Sequence, residues 1–104
     1  MKVCQKKAIK YFLSLFPEGV GKDFAGREMK VDCYANVNSP YGWDIDHILP
    51  TSIKVVNSKG NLQCTNIITN RKKADYTTWT DGNDSYQVKK VKYSEKTYKV
   101  EKLI

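Results

Sequence analysis

Apolar and polar positions change rhythm several times along this chain, and each change marks an element. Residues 3 to 16 carry apolar side chains at helical spacing, with Cys4, Ala8, Tyr11 and Leu15 on one stripe and Phe12 and Phe16 beside it. Pro17 stops the run, so the pattern predicts an N-terminal helix over 3–16 whose purpose is packing. Glu18 to Lys22 reads as a Gly-rich turn, and Gly26, Asn36, Asn38, Ser39-Pro40 and Gly42 punctuate the next stretch into short hairpin-like pieces. Trp43-Asp44-Ile45-Asp46 alternates as a strand does, and Pro50 keeps that strand short. Residues 51 to 60 read as a loop and Leu62 to Thr65 as a second strand. Asn66 is placed to cap a helix running to Ala74, with Asn66, Asn70 and Lys73 on one face and Ile67 and Ile68 on the other. Asp81-Gly82-Asn83-Asp84 is a turn, and residues 86–104 form two strands joined near Ser94-Glu95-Lys96. There is no internal repeat, low-complexity tract or linker, so the expectation is one α+β domain over 1–104.

A chain of 104 residues holds one domain with a small core. Eighteen lysines and arginines stand against 11 acidic residues, a net charge of +7 that favours a polyanionic partner. The cysteines, Cys4, Cys33 and Cys64, lie far apart, form no C-x-x-C pair and are odd in number. A zinc ribbon, a redox motif and a disulfide framework are therefore disfavoured, and three small buried thiols in a reducing compartment are expected. The basic stretch from Lys2 to Lys7 precedes an apolar run too short for a signal peptide, Lys10 interrupts the approach, and no small-residue cleavage site follows. Nothing is long enough to span a membrane, so no membrane partner is expected and the cytoplasm is the expected setting.

Chemistry concentrates in one constellation of Asp46-His47, Asn61 and Asn70, followed at once by Arg71-Lys72-Lys73. His47 is the only histidine. An imidazole exchanges protons near neutral pH, a carboxylate holds a hard cation, and a basic cluster holds phosphate. These are the parts of a metal-assisted phosphodiesterase, set out in the order strand, loop, strand, helix.

The stretch Trp43-Asp44-Ile45-Asp46-His47-Ile48-Leu49-Pro50, then Gly60-Asn61-Leu62-Gln63, then Asn70-Arg71-Lys72-Lys73-Ala74-Asp75 resembles the HNH endonuclease family. More narrowly it is similar to the H-N-N variant, in which asparagine replaces the last histidine, as in the HNH domain of CRISPR effector nucleases. From His47 to Asn61 is 14 positions and from Asn61 to Asn70 is 9, the second interval being the one the family typically shows. Phe24-Ala25-Gly26-Arg27-Glu28-Met29 and Tyr41-Gly42-Trp43 resemble the lead-in of small stand-alone phage and bacterial members, so the likeness covers residues 24 to 76. It implies a small ββα-metal (His-Me finger) core over about 43–75, flanked by the N-terminal helix and a basic C-terminal hairpin over 86–104.

The resemblance also implies roles. His47 would be the general base, Asp46 the anionic ligand of a divalent metal and Asn70 a neutral carbonyl ligand. Mg²⁺ suits such oxygen donors, with Mn²⁺ as the substitute. Asn61 would fix the loop by bonding its backbone so that His47 is aimed correctly. Asp44 shares a strand face with Asp46 and fits a place behind the metal ligands or at the surface. Arg71, Lys72 and Lys73 would grip phosphates near the cut, Arg27 would add a further phosphate contact, and the tail lysines would extend that surface or keep edge strands from aggregating.

Two departures matter. Many members hold a structural zinc with cysteine pairs, which this chain lacks, so other packing must prop the site, with Trp43, Tyr41 and the N-terminal helix as candidates. The several-histidine metal site of colicin-type DNases is impossible with one histidine. Strict strand alternation would also separate Asp46 from His47, so the strand is expected to end or bulge between them. The expected activity is hydrolysis of DNA phosphodiester bonds with one Mg²⁺-type ion, leaving 5′-phosphate and 3′-hydroxyl ends. The competing readings are a catalytically silent nucleic-acid-binding module and a ribonuclease or toxin-like nuclease. DNA ranks ahead of RNA as partner, and a protein partner or flanking parts would supply specificity in the cytoplasm of a bacterial or phage-infected cell.

Overall fold

Helix α1 (Gln5–Leu15) opens the computed structural model of the protein, which describes residues 4–104. Val3, the expected first residue of this helix, and Lys2 of the basic stretch lie outside the described residues. The buried stripe is narrower than its pattern suggests. Ala8 and Phe12, one helical turn apart, are fully buried, whereas Cys4 and Leu15 are exposed. The helix stops where Phe16 bonds back to the Phe12 carbonyl at 2.8 Å and Pro17 forbids another turn.

Strands β1 (Val20–Lys22) and β2 (Glu28–Lys30) pair antiparallel, with Gly21 opposite Met29. The expected Gly-rich turn over 18–22 is thus a turn followed by a strand, because the second half finds a partner. A 3₁₀ turn at Val31–Cys33 leads into a loop and then β3 (Trp43–His47). A second 3₁₀ turn, Lys59–Asn61, precedes β4 (Leu62–Asn66), which neighbours β3 in a two-stranded sheet. Helix α2 (Ile67–Lys73) follows directly. Its start is capped as expected, since the Asn66 Oδ1 accepts the Ile68 N–H at 2.9 Å.

The C-terminal region holds the two strands expected over 86–104 and a third before them. These are β5 (Thr78–Asp81), β6 (Asp84–Lys90) and β7 (Tyr98–Leu103), antiparallel in the order β5-β6-β7. The turn at Asp81-Gly82-Asn83-Asp84 is the β5–β6 connection, with Gly82 at φ +62°. Among the described residues, two α-helices and several small sheets make the fold α+β. No helix among the described residues is long and apolar enough to cross a membrane.

The chain divides into two compact units, the first running to Asp46 and resuming over Cys64–Asn70, the second taking His47–Gln63 and Arg71–Ile104. An aromatic cluster centres the first. Trp43 is fully buried, with its ring centroid 4.6 Å from Phe12 and 4.9 Å from Tyr34, and its indole N–H donates to the Lys30 carbonyl at 2.9 Å. Burying one such ring is worth roughly 1.5–3 kcal/mol. Trp43 and α1 thus pack against each other, while Tyr41 stays half-buried with the Lys30 ammonium 4.1 Å from its ring centroid. In the second unit Trp79 and Tyr86 sit opposite each other on β5 and β6, stacked with centroids 5.7 Å apart, and both are buried.

Gly42 sits where backbone packs on backbone in the first unit, and its carbonyl accepts the Ile67 N–H at 3.0 Å. A Cβ there would lie 2.0 Å from the Asn36 carbonyl oxygen and 3.0 Å from Ile67 Cδ1. Gly42→Ala is therefore expected to cost about 1–3 kcal/mol or more of stability by overpacking. Urea unfolding checks this, and a wild-type midpoint would show that the approach is not tight.

Candidate active site

In the second unit, His47 closes β3 and is held at both its main chain and its ring. Its carbonyl accepts the Lys73 ammonium at 3.0 Å, and its Nε2 lies 2.8 Å from the Asn57 Oδ1. The ring is 6% exposed. Immediately after it the chain turns away through a loop that Asn61 closes. The Ile48 N–H donates to the Asn61 carbonyl and the Leu49 N–H to the Asn61 Oδ1, both at 2.8 Å. The Asn61 Nδ2 donates to the carbonyls of Val56 at 2.9 Å and Leu49 at 3.3 Å. A carboxamide carries donors and an acceptor together, so one buried asparagine satisfies both polar groups of Leu49 and spans to Val56 as well. Asn61 thus bonds the backbone of the loop that follows His47.

Lys73 departs from its expected place. It is fully buried, with its ammonium on the His47 carbonyl and 5.7 Å from the Trp79 ring centroid. Its ammonium is thus turned inward and is not part of a surface grip on phosphate. Arg71 and Lys72 remain exposed on α2.

The first unit carries the candidate metal donors. Along β3, Trp43, Ile45 and His47 are buried while Asp44 and Asp46 are half-buried. The expected interruption between Asp46 and His47 does not occur, since β3 runs unbroken through His47 and ends only afterwards. Burial raises the Asp44 carboxyl above its ordinary value, the Ile45 N–H bonded to it at 2.8 Å opposes that shift, and the charge of Asp46 adds to it. Asn70 is half-buried on α2.

The start of α2 is fixed by a second buried amide. Besides capping the helix, Asn66 donates through Nδ2 to the Pro40 carbonyl at 2.8 Å and the Glu28 carbonyl at 2.9 Å. Its own N–H donates to the Asp23 Oδ2 at 2.9 Å, while the Asp23 Oδ1 accepts the N–H groups of Ala25 and Arg27, each at 3.0 Å. Arg27, expected at phosphate, is half-buried and donates through Nη1 to the Thr69 Oγ1 at 3.0 Å. That bond ties its guanidinium to α2.

Asp46 and Asn70 offer hard oxygen donors of the kind that suits a Mg²⁺-type ion with water and phosphate in its remaining positions. Among the described residues no three His, Cys, Asp or Glu side chains group into a metal site. The thiols are all free, and Cys4 is exposed and Cys33 half-buried where buried thiols were expected. Burial, and then the charge of Asp44, push the Cys64 thiol up to about 12.

A family model described as HNH endonuclease matches residues 24–79, a span that holds Asp46, His47, Asn61 and Asn70. The chain belongs to the HNH endonuclease family. No curated protein and no solved structure shows significant similarity to it. Three residues that hold these segments, Asn57 in the second unit and Asp23 and Asn66 in the first, gave little sign of it in the sequence. Asn57 is one polar residue in a loop, Asp23 lies in a hairpin connection, and Asn66 read only as a helix cap.

Asn61→Ala strands the Leu49 N–H and two carbonyls, at about 1–3 kcal/mol for each buried group left unpaired. The expected loss is at least ~2 kcal/mol, read in a thermal melt as a fall of roughly 10 °C or more. A melt within a degree or two of wild type would mean that the loop closes without the amide. Thiol labelling at mildly alkaline pH should modify Cys4 rapidly and Cys64 only after unfolding, since a thiol titrating near 12 supplies almost no thiolate there. Fast labelling of Cys64 in the folded protein would contradict its burial.

Proposed function

We propose that this chain is a metal-dependent endonuclease that hydrolyses DNA phosphodiester bonds, with His47 as general base in a single nuclease domain built on a ββα-metal core. The observation that carries the reading is the family match over 24–79, which includes the chain's only imidazole directly after Asp46. Nucleases of this family generally use a divalent metal. Here Asp46 and Asn70 would hold it, with Asp44 behind them, and a bound Mg²⁺-type ion would supply positive charge against the charge that grows on the phosphate during cleavage.

The protein's own side chains do the rest. His47 takes the proton of a water as that water attacks phosphorus, and the bond from phosphorus to the 3′-oxygen breaks. The products carry a 5′-phosphate and, once solvent protonates the departing oxygen, a 3′-hydroxyl. A positioned base of this kind contributes about a hundred- to ten-thousand-fold. Lys73 and Asn61 keep the backbone of His47 and of the loop after it from shifting. Arg71 and Lys72 contact phosphates flanking the cut through charge alone, without reading sequence.

That no three His, Cys, Asp or Glu side chains group into a metal site among the described residues is the one observation that favours a silent nucleic-acid-binding module instead. Nicking of supercoiled plasmid separates the two. Cutting is expected with Mg²⁺ or Mn²⁺, none with chelator, and at least ~100-fold less with His47→Ala. Equal cutting by that variant, or cutting in chelator, would overturn the mechanism. Binding without cutting under every metal would favour the silent module.

A further inference from the structure

The loop between β3 and β4 carries an amide that neither the family match nor any motif assigns. Asn57 places its Oδ1 2.8 Å from the Nε2 of His47, within the second unit, a hydrogen-bond contact with the ring itself. The other restraints on His47 act on the main chain. Lys73 holds the carbonyl, and Asn61 holds the residues that follow. Main-chain restraints do not by themselves decide which tautomer the imidazole adopts.

We infer that Asn57 is a positioning residue that selects the tautomer and orientation of His47. A carboxamide oxygen can only accept, so the imidazole nitrogen facing it must carry the proton. With Nε2 protonated and bonded, Nδ1 keeps its lone pair and is the nitrogen left to take a proton from water. A neutral histidine that serves as a base needs this division of labour, and the bond made by one nitrogen decides the state of the other. The ring is 6% exposed while Asn57 is exposed, so the bond is shielded from water on its imidazole side.

The loop is built to present Asn57. Asn61 closes it by bonding Val56, the residue immediately before Asn57. The hydroxyl of Ser58, the residue immediately after, donates to the Lys96 carbonyl. Two positions on, Gly60 packs so close to the β7 side that an added Cβ would lie 2.5 Å from the Thr97 Oγ1 and 3.0 Å from the Lys96 carbonyl oxygen. Asn57 is thus flanked on both sides by bonds within its own unit.

The inference rests on His47 being the base, yet its test does not need cleavage. His47 is the only histidine, so ¹⁵N-histidine labelling gives one pair of ring-nitrogen signals in the metal-free full chain. At a pH where the imidazole is neutral, the wild type is expected to show a single tautomer with its proton on Nε2 and slow exchange of that proton. In Asn57→Ala the exchange should speed up and the Nδ1-protonated form should appear. Asn57→Asp, which restores an acceptor, should restore the wild-type pattern. A proton on Nδ1 in the wild type, or superimposable ring spectra for wild type and Asn57→Ala, would overturn the inference. The amide spectrum of each variant reports its fold in the same sample.

Plasmid nicking then adds the kinetic readout. Asn57→Ala should lower kcat about ten- to a hundred-fold, the scale of a misaimed group, with KM unchanged. Asn57→Asp should recover most of the loss. If the ring behaves as expected but no metal supports cutting, the positioning stands and the nuclease reading falls. If cutting is robust and the ring spectrum is indifferent to Asn57, the reverse holds.

Discussion

Two buried carboxamides, Asn61 and Asn66, stand at either end of β4, and the local geometry of the candidate residues depends on them. Each is almost or fully excluded from solvent. Asn61 joins the two ends of the loop after β3, and Asn66 joins the β1–β2 hairpin, the Pro40 carbonyl and the first turn of α2. Apolar packing alone tolerates sliding by a fraction of an ångström, whereas a buried amide does not. Any other arrangement leaves a donor or acceptor unpaired in a poorly solvated place, at a cost that rivals much of a small domain's stability. In a chain of 104 residues without a disulfide, these two side chains give the uniqueness that a larger core would otherwise supply.

Lys73 shows the same logic carried to a full charge. An ammonium taken out of water is costly, and it persists inside only where strong acceptors meet it. The His47 carbonyl and the face of Trp79 are such acceptors. Trp79 is in turn stacked on Tyr86, so the C-terminal sheet supports the end of β3 through one indole ring. The sheet is therefore more than an appendage carrying lysines. Its first strand completes the surroundings of the lysine that holds the His47 main chain.

Much of this was legible in the residues themselves. The helical run to Phe16, the alternating strand at Trp43, the cap at Asn66 and the strand–loop–strand–helix order all follow from local rules, and the structure has them. What escaped has a common cause. Lys73 read as a surface charge because its burial depends on Trp79 and on the His47 carbonyl 26 positions earlier, contacts with no local signature. Residues 78–81 did not read as a strand because their pairing with β6 becomes visible only when Thr80 and Ser85 are seen opposite each other. Asn57 and Asp23 each look like ordinary loop polarity until a partner ten or more positions away is placed beside them. Alternation predicted opposite environments for Asp46 and His47, and β3 keeps that alternation to its last residue.

The lysines of the C-terminal sheet carry a consequence for how this protein meets nucleic acid. Lys89 and Lys99 both reach Glu101, at 3.4 and 3.6 Å, and Lys102 reaches Asp84 at 3.2 Å. Each of these ammonium groups already shares its field with a neighbouring carboxylate. A polyanion lying against that sheet displaces fewer condensed counterions than the lysine count implies, and the entropy released on binding shrinks accordingly. The affinity of the protein for nucleic acid should therefore fall with ionic strength less steeply than its formal charge suggests, leaving it better able to stay bound in a crowded, salty cell than to be drawn in from far away.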